Sequence, residues 1–336
     1  MGSSLKDVAR LAGVSPKTVS NVVNGYAHVT EATRRRVQDA IETLGYRPNL
    51  SARNLRAGRT GVIALALPEL DAPYFAELAR FVIRAAEEHS RTVLIDQTDG
   101  LASRERLITQ GPRAHLIDGL IFSPLALGRE ELAARDDQTP IVLLGERIDH
   151  GPADHVAIDN VAAAEEATRH LISLGRRRIA AIGDQRHAAS RTGTLRLEGY
   201  HRALDAAGLP RDPRLVSSTA SYRRLDGALA MAGLLAQPEP PDAVFCFNDL
   251  LALGAMRTLH ERGCRIPEDV AVVGIDDIED GRFATPTLTT ISPDKDQIAR
   301  VAVSLLLSRL EGGGGRPPRE VVADFALKVR ESTAGR

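Results

Sequence analysis

Tryptophan is absent from the 336 residues, aromatic residues make up only 4% of them, and cysteine occurs twice. A binding site in this chain therefore has no indole platform on which to stack a ring. Two thiols, Cys246 and Cys264, are too few for a disulfide framework or a cysteine-rich metal site, and they read as free thiols of a cytoplasmic protein. The nine histidines are scattered without an HxxxH spacing, so no metal pattern is legible. No apolar run approaches the ~18 residues that span a membrane. From Ser3 onward the start of the chain is too polar for a signal core. There is no GxSxG motif and no evident pair of catalytic carboxylates, so a protein that is not an enzyme and needs no cofactor is expected. What is present is a 43% hydrophobic share over 336 residues, enough to fill the cores of two or three domains.

Charge is unevenly spread. Residues 1–60 carry ten Lys/Arg (Lys6, Arg10, Lys17, Arg34, Arg35, Arg36, Arg47, Arg53, Arg56, Arg59) against four acids (Asp7, Glu31, Asp39, Glu42). That segment is thus +6 within a chain whose formal net charge is −1, so the remainder is −7. A basic head on an acidic body is what a phosphate-binding module fused to a soluble sensor shows.

The head has its own pattern. Val8, Leu11 and Ala12 form one apolar stripe at helical spacing, and Val19, Val22 and Val23 form another. Gly13 sits where the chain must turn between them. Ser15 followed by Pro16 is a helix start, since the hydroxyl caps free amides and proline suits the first helical position. A third helix is expected from Thr30 through Val37, Ile41 and Leu44 to Gly45. This is the layout of a helix-turn-helix DNA reader, in which Lys17 and Asn21 stand at i and i+4 on one face, beside Pro16 and Thr18. An ordinary helical hairpin within a bundle is the competing reading. Residues 49–56 span about two helical turns, too short to be stable alone in water, with Pro48 before them and Gly58 and Gly61 after. They are expected to be disordered until something holds them.

From Gly61 onward, near-continuous apolar runs recur: 61–67, 92–95, 119–122, 140–145, 178–183, 243–247 and 270–275. Amphipathic stretches such as 75–88, 162–174 and 250–262 separate them. Parallel sheets covered by helices on both faces are the expected result, and ligands on such sheets bind beyond the carboxyl ends of the strands. Glu146, Asn248, Asp249 and Asp276 fall at such ends. The run Asp276–Asp280 lacks the spacing of a calcium loop and reads as a ligand contact followed by a solvated turn.

The segments DVARLAGVSPKTVSNVVNG, VTEATRRRVQDAIETLGYRPNLSARNLR, FNDLLALGAM, VAVVGIDDIED and PTLTTISPD occur in this order over residues 5 to about 330. In this combination the chain resembles the lactose-repressor (LacI/GalR) family of bacterial transcription regulators. The resemblance implies an all-α helix-turn-helix head at 1–48, a hinge helix and linker at 49–60, and an α/β effector-binding and dimerisation domain at 61–336. That domain would consist of two doubly wound parallel-sheet lobes of the periplasmic-binding-protein kind. The first lobe would hold 61–158 plus 293–322, and the second 159–291 plus 323–330, with the chain crossing three times.

Residue by residue, the resemblance assigns DNA contacts to Ser15, Pro16, Lys17, Thr18, Ser20, Asn21 and Asn24, and to Tyr46, Asn49, Ala52, Arg53, Leu55 and Arg56. Leu55 would wedge between base pairs in the minor groove, a known device of DNA-bending proteins. It assigns effector contacts to Tyr74, Phe75, Glu146, Thr192, Arg196, Tyr222, Asn248 and Asp276. This set is chemically suited to a carbohydrate, with carboxylates to accept from hydroxyls, Arg196 and Asn248 to donate, and Tyr222 to cover an apolar ring face. The expected partners are a double-stranded operator with an inverted repeat, a small sugar, and a second copy of the chain, with no membrane. The expected role is a repressor of carbohydrate uptake or catabolism genes, released by its sugar, in the bacterial cytoplasm at the nucleoid. A purine-type corepressor is the alternative. A sugar-binding protein or α/β enzyme without a DNA role is a further one.

Overall fold

The structure is a computed structural model, and it describes residues 3–23, 26, 28–46, 60–111, 116–148, 150–185, 191–312 and 316–334. The chain divides into two compact units, residues 1–60 and 61–336.

The first unit is built on helices α1 (Leu5–Ala12), α2 (Pro16–Val23) and α3 (Glu31–Thr43). Ser4 and Asp7 cap α1 reciprocally. Gly13 ends it at φ +63°, where the left-handed turn favours glycine. Thr30 caps α3. Val8, Ala9, Ala12, Val19, Val22, Val37 and Ala40 make the core. Leu11 departs from the expected apolar stripe: it lies on the exposed side of α1, and Ala9 takes the inward place. Two alanines let α1 approach its neighbours closely, and the larger side chain is left outside.

The second unit contains two six-stranded sheets. The strands are β1 (Val62–Leu67), β2 (Thr92–Gln97), β3 (Gly119–Phe122), β4 (Ile141–Leu144), β5 (Asp154–Ile158), β6 (Ile179–Asp184), β7 (Val216–Ser218), β8 (Ala243–Cys246), β9 (Ala271–Ile275), β10 (Thr289–Pro293), β11 (Glu320–Ala323) and β12 (Phe325–Lys328). One sheet has the order β11-β5-β4-β3-β1-β2 and the other β12-β10-β9-β8-β6-β7. Their central strands are buried on both faces, which is why they read as unbroken apolar runs. Each sheet with its helices forms a lobe. The chain leaves the first lobe after β5, returns after β10 to contribute the helix Lys295–Leu310 and β11, and crosses again into β12.

The pairing is parallel except at the last strand, where β12 runs antiparallel to β10. A single residue, Asp324, joins β11 at the edge of the first sheet to β12 at the edge of the second. Asp324 is fastened to the helix Lys295–Leu310, its amide donating to Gln297 Oε1 at 2.7 Å and its carbonyl accepting from Asp294 N at 2.9 Å.

Candidate functional site

In the head, Ser15 Oγ accepts from Thr18 N at 3.1 Å and lies 2.9 Å from the Thr18 hydroxyl, which fixes the start of α2. Val19 and Val22 face inward, so Pro16 and Lys17 are exposed, and Thr18, Ser20 and Asn21 are partly so. Lys17 and Asn21 therefore share the outer side of a short helix whose other side is anchored. Tyr46 packs against the head core. Asn24, Asn49, Ala52, Arg53, Leu55 and Arg56 lie outside the described residues.

In the second unit, a cavity of about 460 Å³ opens between the lobes at the carboxyl ends of both sheets. Tyr74, Phe75, Glu146, Thr192, Arg196, Tyr222, Asn248 and Asp276 all line it. Local chain chemistry puts them there. Pro73 opens the helix Pro73–Glu87, so Tyr74 and Phe75 fall in its first turn. Glu146 follows β4 by two residues. Asn248 caps the helix Asp249–Glu261, its side chain accepting from Leu251 N at 2.9 Å, and its amide donates to the Tyr222 carbonyl at 3.2 Å. Asn248 thus holds Tyr222 in the wall as much as it faces the cleft.

Glu146, from the first lobe, accepts from Thr192 Oγ1 at 2.7 Å in the second lobe and from Asn160 Nδ2 at 2.6 Å at the crossing. Asn160 returns its oxygen to Arg196 Nε at 2.7 Å, and Arg196 Nη1 donates to the Phe247 carbonyl. The planar guanidinium is locked on two sides, and its remaining nitrogen has no hydrogen bond among the described residues. At the mouth of the cleft, Arg223 of the second lobe reaches Glu69 at 2.8 Å and Asp71 at 2.7 Å in the first.

Asp276 sits deepest in the chemistry. It is 8% exposed, and its carboxylate makes no hydrogen bond among the described residues. Burial pushes its carboxyl up to about 6, while Arg196 and Lys295 pull the other way and Glu146 and Glu77 add to the rise. Beneath it, fully buried Asp249 accepts from Thr290 Oγ1 at 2.6 Å and Ile278 N at 3.0 Å. Burial and the neighbouring Asp276 drive its carboxyl well above the usual range. Burial also raises the Tyr74 and Tyr222 hydroxyls.

Asp277 corrects the expected solvated turn. It is buried, and it accepts from Arg282 at 2.9 Å, Arg330 at 2.6 Å and Ser292 at 2.9 Å. Burial alone would raise its carboxyl, but these donors hold it near 2. Only Glu279 and Asp280 are solvated there. Among the described residues no cluster of three or more His, Cys, Asp or Glu is placed to hold a metal, and no helix is long and apolar enough to cross a membrane. Cys246 and Cys264 are free. Lys295, Glu77, Asn160 and Glu69 escaped the sequence reading. Each acts through a partner far away in the chain, and nothing local marks it.

Comparison with known proteins agrees with this architecture. The profile of bacterial regulatory proteins of the lacI family matches residues 4–49, and that of the periplasmic binding protein-like domain matches residues 168–333. The ribose operon repressor of Escherichia coli (strain K12) is 34% identical over 311 residues, covering 92% of this chain and 93% of that one. The structure of the transcriptional regulator CelR in complex with cellobiose superposes with a TM-score of 0.72 at 34% identity, covering 98% of this chain and 99% of the other. The lac repressor dimer bound to operator and the anti-inducer ONPF gives a TM-score of 0.84 at 26% identity over 99% of both chains. A helical head with an outward-facing second helix, two doubly wound lobes around a polar cleft and a full-length relative at this identity lead to one conclusion: the chain belongs to the LacI family of bacterial transcription regulators.

Proposed function

We propose that this chain represses transcription by binding an inverted-repeat operator as a homodimer, and that a small neutral sugar in the cleft releases it. The observation that carries the effector reading is Asp276: a buried carboxylate with no hydrogen-bond partner among the described residues, facing a guanidinium with one uncommitted nitrogen. A buried charge left unpaired costs stability, and it makes sense where a ligand supplies the missing donors. A polyol does so, because vicinal hydroxyls can donate to Asp276 and Glu146 while accepting from Arg196. An anionic ligand would meet Glu146, Asp276 and Glu69 with only Arg196 and Arg147 in return. The relatives point the same way: one is named for the ribose operon and another holds cellobiose. The three aromatic rings of the wall, Tyr74, Phe75 and Tyr222, favour a purine corepressor as the second reading.

Because one three-helix head covers only a half-site, an inverted repeat calls for a two-fold dimer. Lys17 and Asn21 would read bases and the flanking arginines the phosphates. Ligand bound between the lobes would draw them together and disturb the segment 49–60, which is too short to stay helical without support. A coupling of ~1–3 kcal/mol between effector and operator, reciprocal by linkage, is sufficient for such a switch.

The test is calorimetry with pentoses, hexoses, cellobiose and purines, combined with operator binding by gel shift. A sugar that binds and loosens the operator complex is the expected outcome, and tightening by a purine alone would reverse it. Lys17→Ala and Asn21→Ala should each cost about 1–3 kcal/mol on operator and far less on random DNA. Equal losses on both would remove the base-reading role. A stable monomer with full operator affinity would overturn the dimer.

A further inference from the structure

Asp276 does not reach the cleft on an ordinary turn. Asp276 and Asp277 both lie at positive φ, +125° and +51°; the second is in the left-handed well that aspartate tolerates, but the first is outside it and is kept there by its surroundings. Its own lobe holds the Asp277 side of the turn through Arg282, Arg330 and Ser292, and the other lobe holds its carbonyls. Lys295, 6% exposed at the start of the helix Lys295–Leu310, directs Nζ to the carbonyl of Asp276 at 2.6 Å and to that of Asp277 at 3.2 Å. The same ammonium donates to Glu77 Oε2 at 2.6 Å. Glu77 stands one turn after Tyr74, whose ring lies 5.7 Å from Nζ. Its second oxygen accepts the amide of Glu279 at 3.3 Å, so Glu77 also holds the segment that follows the turn.

Resting on the cleft as the effector site, we infer that Lys295 is its positioning residue: it aims the Asp276 carboxylate into the cleft and, through Glu77, ties that aim to the first lobe. An ammonium has three protons, and here two go to the carbonyls of the left-handed turn and one to Glu77. None is left for a ligand, so any influence of Lys295 on binding passes through Asp276. A plain structural ion pair needs only Glu77; the two carbonyl bonds are what connect Lys295 to the site. The charges facing Asp276 come from several elements: Lys295 and Arg196 attract, while Glu146, Glu77 and buried Asp249 oppose.

The experiment uses the full chain and four variants: Lys295→Met, which keeps the apolar stem without donors, Lys295→Arg, Glu77→Gln, and Asp276→Asn to assign the signal. Titration of the Asp276 carboxyl is followed by carbon-13 NMR without ligand, and binding of D-ribose and cellobiose by calorimetry. In Lys295→Met the Asp276 midpoint should rise by about one pH unit from about 6; the carboxyl stays mostly ionised at pH 7.5, so the expected weakening of the responding sugar by about tenfold there comes from a mis-aimed hydrogen bond rather than from lost charge. Operator binding by the free protein should not change. Lys295→Arg should restore most of the midpoint.

Glu77→Gln separates aim from charge, because removing an opposing carboxylate lowers the Asp276 midpoint. Electrostatics alone would then leave sugar binding unchanged or slightly tighter, whereas lost positioning weakens it. Unchanged or tighter binding in Glu77→Gln overturns the proposal, as does an unmoved midpoint in Lys295→Met. Should Lys295→Met fail to fold, Glu77→Gln decides. Should neither sugar bind the wild type, the sugar reading falls by itself, and the NMR midpoint still decides whether Lys295 governs Asp276.

Discussion

Replacing Asp276 by asparagine removes a charge that the folded protein holds against the cost of burial, so the variant should be more stable and, at the same time, unable to bind its effector. The ordinary aspartate value is 3.8, and burial brings this carboxyl to about 6 in the folded protein. Between those pH values the folded chain keeps a proton that the unfolded chain has released, so stability falls as pH rises through that window. Above about pH 6 the loss is complete, and below about pH 4 it is absent. Two units at about 1.4 kcal/mol each give about 3 kcal/mol. Asparagine keeps the shape and carries no charge, so it avoids that loss. Thermal melts at pH 4 and pH 7.5 compare the two proteins. They should coincide at the lower pH, and Asp276→Asn should melt about 6–12 °C higher at pH 7.5. A variant no more stable than the wild type at pH 7.5 would refute the argument, because it would mean that the folded protein already compensates the charge.

The close packing of the helices Arg224–Leu235 and Asp249–Glu261 gives a second test: a Cβ on Gly254 would stand 1.9 Å from the Arg224 carbonyl oxygen, while one on Gly233 meets nothing within 4 Å. Gly254→Ala should therefore cost about 3 kcal/mol in chemical denaturation, and Gly233→Ala should gain up to about 1 kcal/mol from helix propensity; similar effects at both would contradict the contact. Asp154, 0% exposed, accepts from Arg309 at 2.9 and 2.8 Å and from Arg319 N at 2.8 Å, which seats β11 beside β5. Asp154→Asn should cost about 3 kcal/mol or more, since Arg309 loses its partner in a largely buried place, and hydrogen exchange should show early opening at β11.

The sequence made some parts of this molecule legible for physical reasons. In the head, turn chemistry at Gly13 and Ser15 and apolar spacing locate the helices, because three short helices have few ways to bury a common face. The central strands of each sheet show as apolar runs because both faces are covered. β5, β7, β10, β11 and β12 were not visible that way. They are short, lie at or near sheet edges, or carry buried polar groups such as Asp154 and Thr290, whose partners come from far along the chain. The assignment of 293–322 to the first lobe and 323–330 to the second came from family resemblance, since periodicity says nothing about which sheet a strand joins.

The residues lining the cleft divide in a similar way. Those at strand ends, such as Glu146 and Asp276, stand where parallel sheets place ligands. Lys295 and Glu77 are ordinary helix charges in sequence, and their importance arises only where the lobes meet. Leu11 shows the opposite limit: its spacing fits an apolar stripe, but steric access gave the inward place to alanine.

The single-residue link at Asp324 has a consequence for how the chain is made. β11 and β12 are the outermost strands of different sheets, and they are separated by one residue near the far end of the sequence. As the polypeptide emerges during synthesis, the first lobe must wait for 295–323 and the second for 325–334. Neither sheet can close this edge until the ribosome has delivered β11 and β12. Contacts between β5 and β11 span more than 150 positions, and such long-range closure is slow. The nascent protein therefore passes much of its synthesis with the β5 edge exposed, a state open to mispairing and to chaperone capture. Both lobes then reach completion almost together, when a stretch of some ten residues falls into place.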